Sequence, residues 1–103
     1  MARPIESYRI YFHTTPNYKW DVFVDLYSGS KWIGRLKFMK EGQPIPENKE
    51  MGSAYVLHYP VKHFDSIVTI LREEKPVYIN LNTANGIGTI ATSAEPVGEE
   101  EAM

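Results

Sequence analysis

The sequence predicts an α+β domain built from a single, mostly antiparallel sheet in the order ββββαββ, with one long helix packed on one face. Two observations predict this. Residues 61–75 have a helical period, because Phe64, Ile67, Val68 and Leu71 fall at i, i+3, i+4 and i+7. The other apolar segments alternate with period two, which is typical of half-buried strands. One helix cannot enclose a core, so it is expected to cover one face of the sheet.

Four strands are predicted before the helix, over residues 7–13, 19–27, 31–38 and 53–59. Residues 28–30 form a short hairpin connection between the second and third strands. A polar segment without alternation, residues 40–52, is predicted to be a long loop. The positions expected to face the helix are Tyr8, Ile10, Phe12, Trp20, Val22, Val24, Leu26, Trp32, Leu36, Phe38, Tyr55, Leu57 and Tyr59.

Prolines mark both ends of the predicted helix. Pro60 stands at its start, where a missing N–H costs little, and Pro76 disfavours helix at the residue before it. Residues 77–81 then alternate as a strand with Val77, Ile79 and Leu81 facing inward, and Asn85-Gly86 is a strong hairpin signal. A last strand is predicted over residues 87–92.

Length and composition indicate one ordinary globular domain, predicted to span residues 1–94 and to be followed by a flexible acidic tail at 95–103. The chain has 103 residues, 43% of them hydrophobic and 23% charged. No apolar run approaches the roughly 20 residues of a membrane span, and no signal peptide is visible, so the protein is expected to be cytoplasmic, with no membrane partner. The absence of cysteine excludes disulfides and thiolate chemistry.

The motifs that carry catalysis or bind metals are not found, and we predict that the protein is not an enzyme and needs no cofactor or metal. Gly86-Ile87-Gly88 lacks the third glycine of a dinucleotide-binding motif. The histidines do not pair at a metal-ligand spacing. Asp21 and Asp25 share a strand face but lie ~13 Å apart at about 3.3 Å per residue, too far to share one acid–base function.

The sheet face opposite the helix is the candidate functional surface, because an ordinary solvated face would not hold so many apolar groups. It also carries Asp21 and Asp25. The outward positions are Arg9, Tyr11, His13, Phe23, Tyr27, Ile33, Arg35, Lys37, Val56, His58, Tyr78 and Asn80. The candidate binding residues among them are Arg9, Tyr11, Phe23, Tyr27, Arg35, Lys37 and Tyr78.

Two occupants of this face are considered. Aromatic rings with interleaved cations stack unpaired bases while the cations contact phosphates, which makes single-stranded nucleic acid the first ligand class to test. Alternatively, the face is the interface of a homodimer. On physical grounds the homodimer is favoured, since Asp21 and Asp25 would repel phosphates but could meet the basic residues of a partner. A third possibility is that the 40–52 loop or the tail covers the face.

The charge distribution is uneven but only mildly basic over the domain. Residues 1–40 carry a balance of +4 and residues 41–103 a balance of −6, which together give the net −2. Four acids lie in the last nine residues, so the rest of the chain is at +2. A strongly basic footprint for nucleic acid is therefore missing.

Four strands followed by a helix that begins at Tyr59-Pro60-Val61 resemble the fold of the single-stranded-DNA-binding transcriptional regulators, shared by the PC4 coactivator and the plant Whirly proteins. The chain is also similar to a group of small cyanobacterial proteins near that fold, over residues 5–95. The resemblance implies a curved antiparallel sheet backed by a helix, assembly as dimers or higher oligomers, and single-strand binding on strand surfaces. The Whirly strand motif Lys-Gly-Lys-Ala-Ala-Leu is replaced here by Lys31-Trp32-Ile33-Gly34-Arg35-Leu36, so no binding residue is carried over.

Overall fold

The structure is a computed structural model that describes residues 2–14 and 16–94, and the predicted acidic tail at 95–103 lies outside the described residues. The chain is an α+β protein with one α-helix in this part. The strands are β1 (Arg3–Ile5), β2 (Ser7–Phe12), β3 (Trp20–Ser28), β4 (Lys31–Met39), β5 (Lys49–Met51), β6 (Ala54–Pro60), β7 (Val77–Asn82) and β8 (Ile87–Thr92). A 3₁₀ turn, Val61–His63, leads into α1 (Phe64–Glu73).

The strands form two sheets, so the prediction of a single sheet in the order ββββαββ is wrong. One sheet has five strands in the order β2-β3-β4-β6-β5, and the other has three in the order β1-β7-β8. Neighbouring strands are antiparallel except β4 and β6, which are parallel. The fold class and the mostly antiparallel pairing are confirmed.

The second sheet exists because one short helix cannot cover the inner face of the larger one. At about 1.5 Å per residue the ten residues of α1 extend ~15 Å, whereas a nine-residue strand such as β3 extends ~30 Å at about 3.3 Å per residue. The hairpin of β7 and β8 covers the remainder, with Val77, Ile79 and Leu81 all buried in the core. These three inward positions agree with the sequence prediction.

Two glycines mark where the sheets approach closely. A Cβ on Gly34 of β4 would lie 2.8 Å from Ile79 Cδ1 and 3.2 Å from the Tyr55 carbonyl oxygen. A Cβ on Gly88 of β8 would collide with the side chain of Leu57 on β6. Only a residue without a side chain fits at these contacts, so the two layers pack as one core.

The helix follows its predicted period. Ile67, Val68 and Leu71 are buried, and the half-buried Phe64 meets the ring of Phe38 edge-on at a centroid distance of 5.2 Å. The helix ends at Glu73, ahead of Pro76, as the proline predicts. No helix in the described ranges is long and apolar enough to cross a membrane.

Two short strands were not predicted from the sequence. β5 lies inside the predicted 40–52 loop, and β1 precedes the first predicted strand. Each has only three residues, too few to establish an alternation. Pro4 fits β1 because this strand lies at the edge of its sheet and pairs only with β7.

Because the pairing between β3 and β4 is irregular, some side chains lie on the opposite face of the sheet from the one predicted. The register shifts between Trp20 and Val22, and again between Leu26 and Tyr27. Leu26 pairs with Gly34 while Tyr27 pairs with Trp32, so Ile33 is the extra residue of a bulge. A one-residue shift turns a side chain to the other face. Ile33, predicted to face outward, is therefore in the core and only 3% exposed.

The bulge yields a stability prediction. Ile33→Ala should lower the free energy of unfolding by about 2–5 kcal/mol, because it removes a buried side chain and leaves a cavity. The matched control is Ile87→Ala on β8, where the side chain is 59% exposed and the loss should stay below about 1 kcal/mol. Urea denaturation measures both, and equal small losses would contradict the burial of Ile33.

Candidate functional site

The candidate site is the surface of the five-stranded sheet that faces away from the helix and the second sheet. We call it the aromatic face. It contains the rings of Tyr11, Trp20, Phe23, Tyr27 and Trp32 together with the basic residues Arg9, Arg35, Lys37 and Lys49. Cross-strand pairing sets this arrangement, since directly paired residues project from the same side of a sheet.

Phe23 is at the centre of the aromatic face and is covered on both sides. The Tyr11 ring stacks on it with a centroid distance of 4.5 Å and an interplanar angle of 11°. The Arg35 guanidinium lies 4.4 Å from the centroid of the same ring. Because the stacked tyrosine occupies one ring face, the arginine occupies the other, and Phe23 is only 7% exposed.

A buried carboxylate fixes Arg35 in this position. Asp25 is 5% exposed and accepts hydrogen bonds from Arg35 Nε at 2.7 Å and from Arg35 Nη2 at 3.1 Å. Trp32 Nε1 donates to the same carboxylate at 3.2 Å. The bond to Asp25 raises the pKa of Arg35 above its usual value. The two-pronged geometry holds the guanidinium plane over Phe23 and Trp32.

A second group of rings surrounds Trp20. Its ring lies 5.3 Å from both Phe23 and His13, and 5.7 Å from Tyr18. Lys37 Nζ lies 5.2 Å from the Trp20 ring centroid. Trp20 and Trp32 were both predicted to face the helix. The register shifts described above place them on the opposite face, which is a correction of the prediction.

Both aspartates of this region are paired within the chain. Asp25 is bound by Arg35, and Asp21 lies 3.2 Å from Lys40 Nζ. Neither carboxylate is therefore left free to meet the basic residues of a partner, which was the reason for favouring a homodimer on this face. The same pairing reduces the repulsion that these acids would exert on a phosphate.

The remaining cations have no carboxylate partner in the part of the chain that the structure describes. The pKa of Lys37 is lowered by partial burial, and further by the charges of Lys49 and Arg35. Arg9 is exposed and its Nη1 donates to the Tyr11 hydroxyl at 3.2 Å. Lys37 and Lys49 project from the same side of the sheet, and their like charges raise the local positive potential, which favours an anionic ligand.

Six of the seven candidate residues from the sequence lie on the aromatic face. These are Arg9, Tyr11, Phe23, Tyr27, Arg35 and Lys37. Tyr78 does not join them, because β7 belongs to the three-stranded sheet. Its neighbours Val77 and Ile79 point into the core, so alternation directs Tyr78 away from the five-stranded sheet.

Three contributors were missed by the sequence analysis, namely Trp20, Trp32 and Lys49. The two tryptophans depend on bulges that no local pattern reveals. Lys49 lies on the three-residue β5, where it pairs with Val56 and so projects from the same side as Arg35. An alternation of side chains over Lys49–Met51 is too short a signal to have identified it.

Within residues 2–14 and 16–94, His, Asp and Glu side chains do not gather in groups of three that could hold a metal ion. Comparison of the chain with protein-family models, curated proteins and solved structures gave no match. The resemblance to the single-stranded-DNA-binding regulators therefore stays a prediction.

The central ion pair yields a second stability prediction. Asp25→Ala should lower the free energy of unfolding by about 2–3 kcal/mol, since the Arg35 guanidinium loses its counter-charge beside Phe23. The Arg35 side chain is 31% exposed, and solvent reduces the loss below that of a fully buried pair. Asp21→Ala is the matched control, because Asp21 is 43% exposed and its pair with Lys40 should contribute less than about 1 kcal/mol. Similar losses in urea denaturation would contradict the central role of Asp25.

Proposed function

We propose that this chain is a non-enzymatic binding module that holds single-stranded nucleic acid on the aromatic face. The observation that carries the proposal is the combination, on one side of a sheet, of half-buried aromatic rings with cations that have no carboxylate partner among the described residues, while both neighbouring aspartates are paired internally. Rings stack bases of any sequence, and cations follow the phosphates.

The residues divide into two roles. Tyr11, Trp20 and Trp32 are half-buried and offer ring surface on which bases can stack, and Tyr27 extends this surface toward the end of β3. Phe23 is too buried to stack with a base and instead supports Tyr11.

Arg9, Lys37 and Lys49 contact phosphates, because they have no carboxylate partner in the described part of the chain. Arg35 is held by Asp25 and contributes mainly to the shape of the face.

The width of the sheet sets the length of strand that one chain can hold. From β2 to β5 there are four inter-strand spacings of about 4.8 Å, which gives ~19 Å. A surface of this width accommodates a strand near the lower limit of the roughly 4–16 nucleotides that single-strand-binding domains bind.

Binding of a fluorescent oligothymidylate at low salt tests the proposal. Tyr11→Ala and Trp32→Ala should each weaken binding by about 1–3 kcal/mol, roughly 5- to 150-fold, through the loss of one base stack. Three phosphate contacts predict that log K falls with log salt at a slope of about −2, and Arg9→Gln should make this slope shallower.

Tyr78→Ala is the control for these variants, because Tyr78 lies on the other sheet and should bind the oligonucleotide like the unchanged protein. The proposal fails if the unchanged protein does not bind at low salt, where cation–phosphate attraction is strongest. It also fails if Tyr78→Ala weakens binding as much as Tyr11→Ala does.

A second candidate function is homodimerisation, now favoured by a different surface. β2 is an edge strand, and two of its inner-face residues, Ile10 and Phe12, are 37% and 68% exposed. An unprotected edge with exposed apolar side chains is a surface on which a second copy can pair.

Light scattering at several concentrations tests this alternative. Dimerisation through β2 predicts that the unchanged protein is a dimer and that Phe12→Lys shifts it toward monomer. A strict monomer at tens of micromolar would exclude dimerisation. A dimer that Phe12→Lys leaves intact would instead support the aromatic face as the interface.

A further inference from the structure

A cluster of basic groups lies on β4, β6 and β5, at the end of the aromatic face opposite β2. Lys37 on β4 pairs in parallel register with His58 on β6. Lys49 on β5 pairs with Val56, two residues before His58 and therefore on the same side of the sheet. Three neighbouring strands thus direct three basic side chains to one place.

A cavity of about 600 Å³ includes His58 in its lining, whereas Lys37 and Lys49 lie beside His58 on the sheet and outside the lining. Its other walls are the 45–48 segment, which contributes the acidic residue Glu47, and the turn between β7 and β8. Asn48 fixes these walls, since its Oδ1 accepts a hydrogen bond from the His58 backbone N–H at 2.7 Å and its Nδ2 donates to the Gly86 carbonyl at 3.0 Å. Asn48 therefore connects β6 to the turn between β7 and β8 beside this cavity.

His58 retains hydrogen-bonding capacity that the described part of the chain does not use. Its Nδ1 atom is buried and has no hydrogen-bond partner there. Burial lowers the pKa of His58, and the charges of Lys37 and Lys49 lower it further, while a bond to the Glu47 backbone acts in the opposite direction. An anion in the cavity would reverse the unfavourable effect of the two lysines.

We propose that Lys37, Lys49 and His58 form a subsite for a phosphomonoester, such as the terminal phosphate of a nucleic-acid strand. A phosphomonoester carries a charge of about −1.5 to −2 near neutral pH and three acceptor oxygens, whereas an internal phosphodiester carries a single charge. The positive charges of two lysines and a protonated histidine match the larger negative charge of the monoester. The inference rests on the proposed function, because the rest of the bound nucleic acid would continue from this subsite across the aromatic face.

Oligothymidylates that differ only at their ends test the subsite. At pH 7 and low salt, an oligonucleotide with a terminal phosphate, 5′ or 3′, should bind about tenfold more tightly than one with hydroxyl ends. His58→Gln should bring this ratio close to one, and Lys62→Gln, on the exposed 3₁₀ turn, should leave the ratio unchanged. Equal affinity for both kinds of ends would overturn the subsite.

An NMR titration of the unchanged protein provides a measurement that needs no variant. The His58 pKa should lie below 6.5 in the free protein and rise when adenosine monophosphate or inorganic phosphate is added, because a bound dianion favours the charged imidazole. An unchanged His58 pKa at saturating phosphate would also overturn the subsite.

The outcomes separate this inference from the proposed function. If adenosine monophosphate raises the His58 pKa but no oligonucleotide binds, the subsite takes free phosphomonoesters and the strand-binding proposal fails. If oligonucleotides bind with equal affinity whatever their ends, strand binding stands and the subsite is rejected.

Discussion

The ion pair between Asp25 and Arg35 is the interaction on which the aromatic face depends. Burying a carboxylate is costly unless its oxygens are satisfied, and here two bonds from Arg35 and one from Trp32 meet that requirement. The same bonds hold the guanidinium over one face of the Phe23 ring, and the other face of that ring stacks with Tyr11. Three adjacent strands are thereby linked through side chains as well as through the backbone.

Two irregularities between β3 and β4 make this arrangement possible. With regular alternation Trp32 would point into the core and could not donate to Asp25, and Ile33 would be exposed. The bulge exchanges the two, so that the core gains an aliphatic side chain while the outer face gains an indole with a polar N–H. The shift at Trp20 has a similar effect and brings that ring against Phe23 and beneath Lys37.

Much of the fold and of the site follows from local sequence patterns, because helical and strand periods require only neighbouring residues. The helix around Ile67 and Leu71 and the shared face of Arg9, Tyr11 and Phe23 were predicted in this way. The second sheet was not, since β7 pairs with β8 and with the distant β1 rather than with a strand of the five-stranded sheet. Tyr78 was misplaced for this reason. The tryptophans were misplaced because a bulge changes the period by one residue without any local composition signal.

The electrostatics of the aromatic face differ between its centre and its end. At the centre the charge of Arg35 is balanced by Asp25, so this region presents mainly ring surface to a ligand. At the end, partial burial lowers the pKa of both Lys37 and His58, and the charge of Lys49 lowers both further, which disfavours their charged forms. In the proposed subsite a bound phosphomonoester supplies the opposite charge at this end, and the neutral centre is left to contact uncharged base rings.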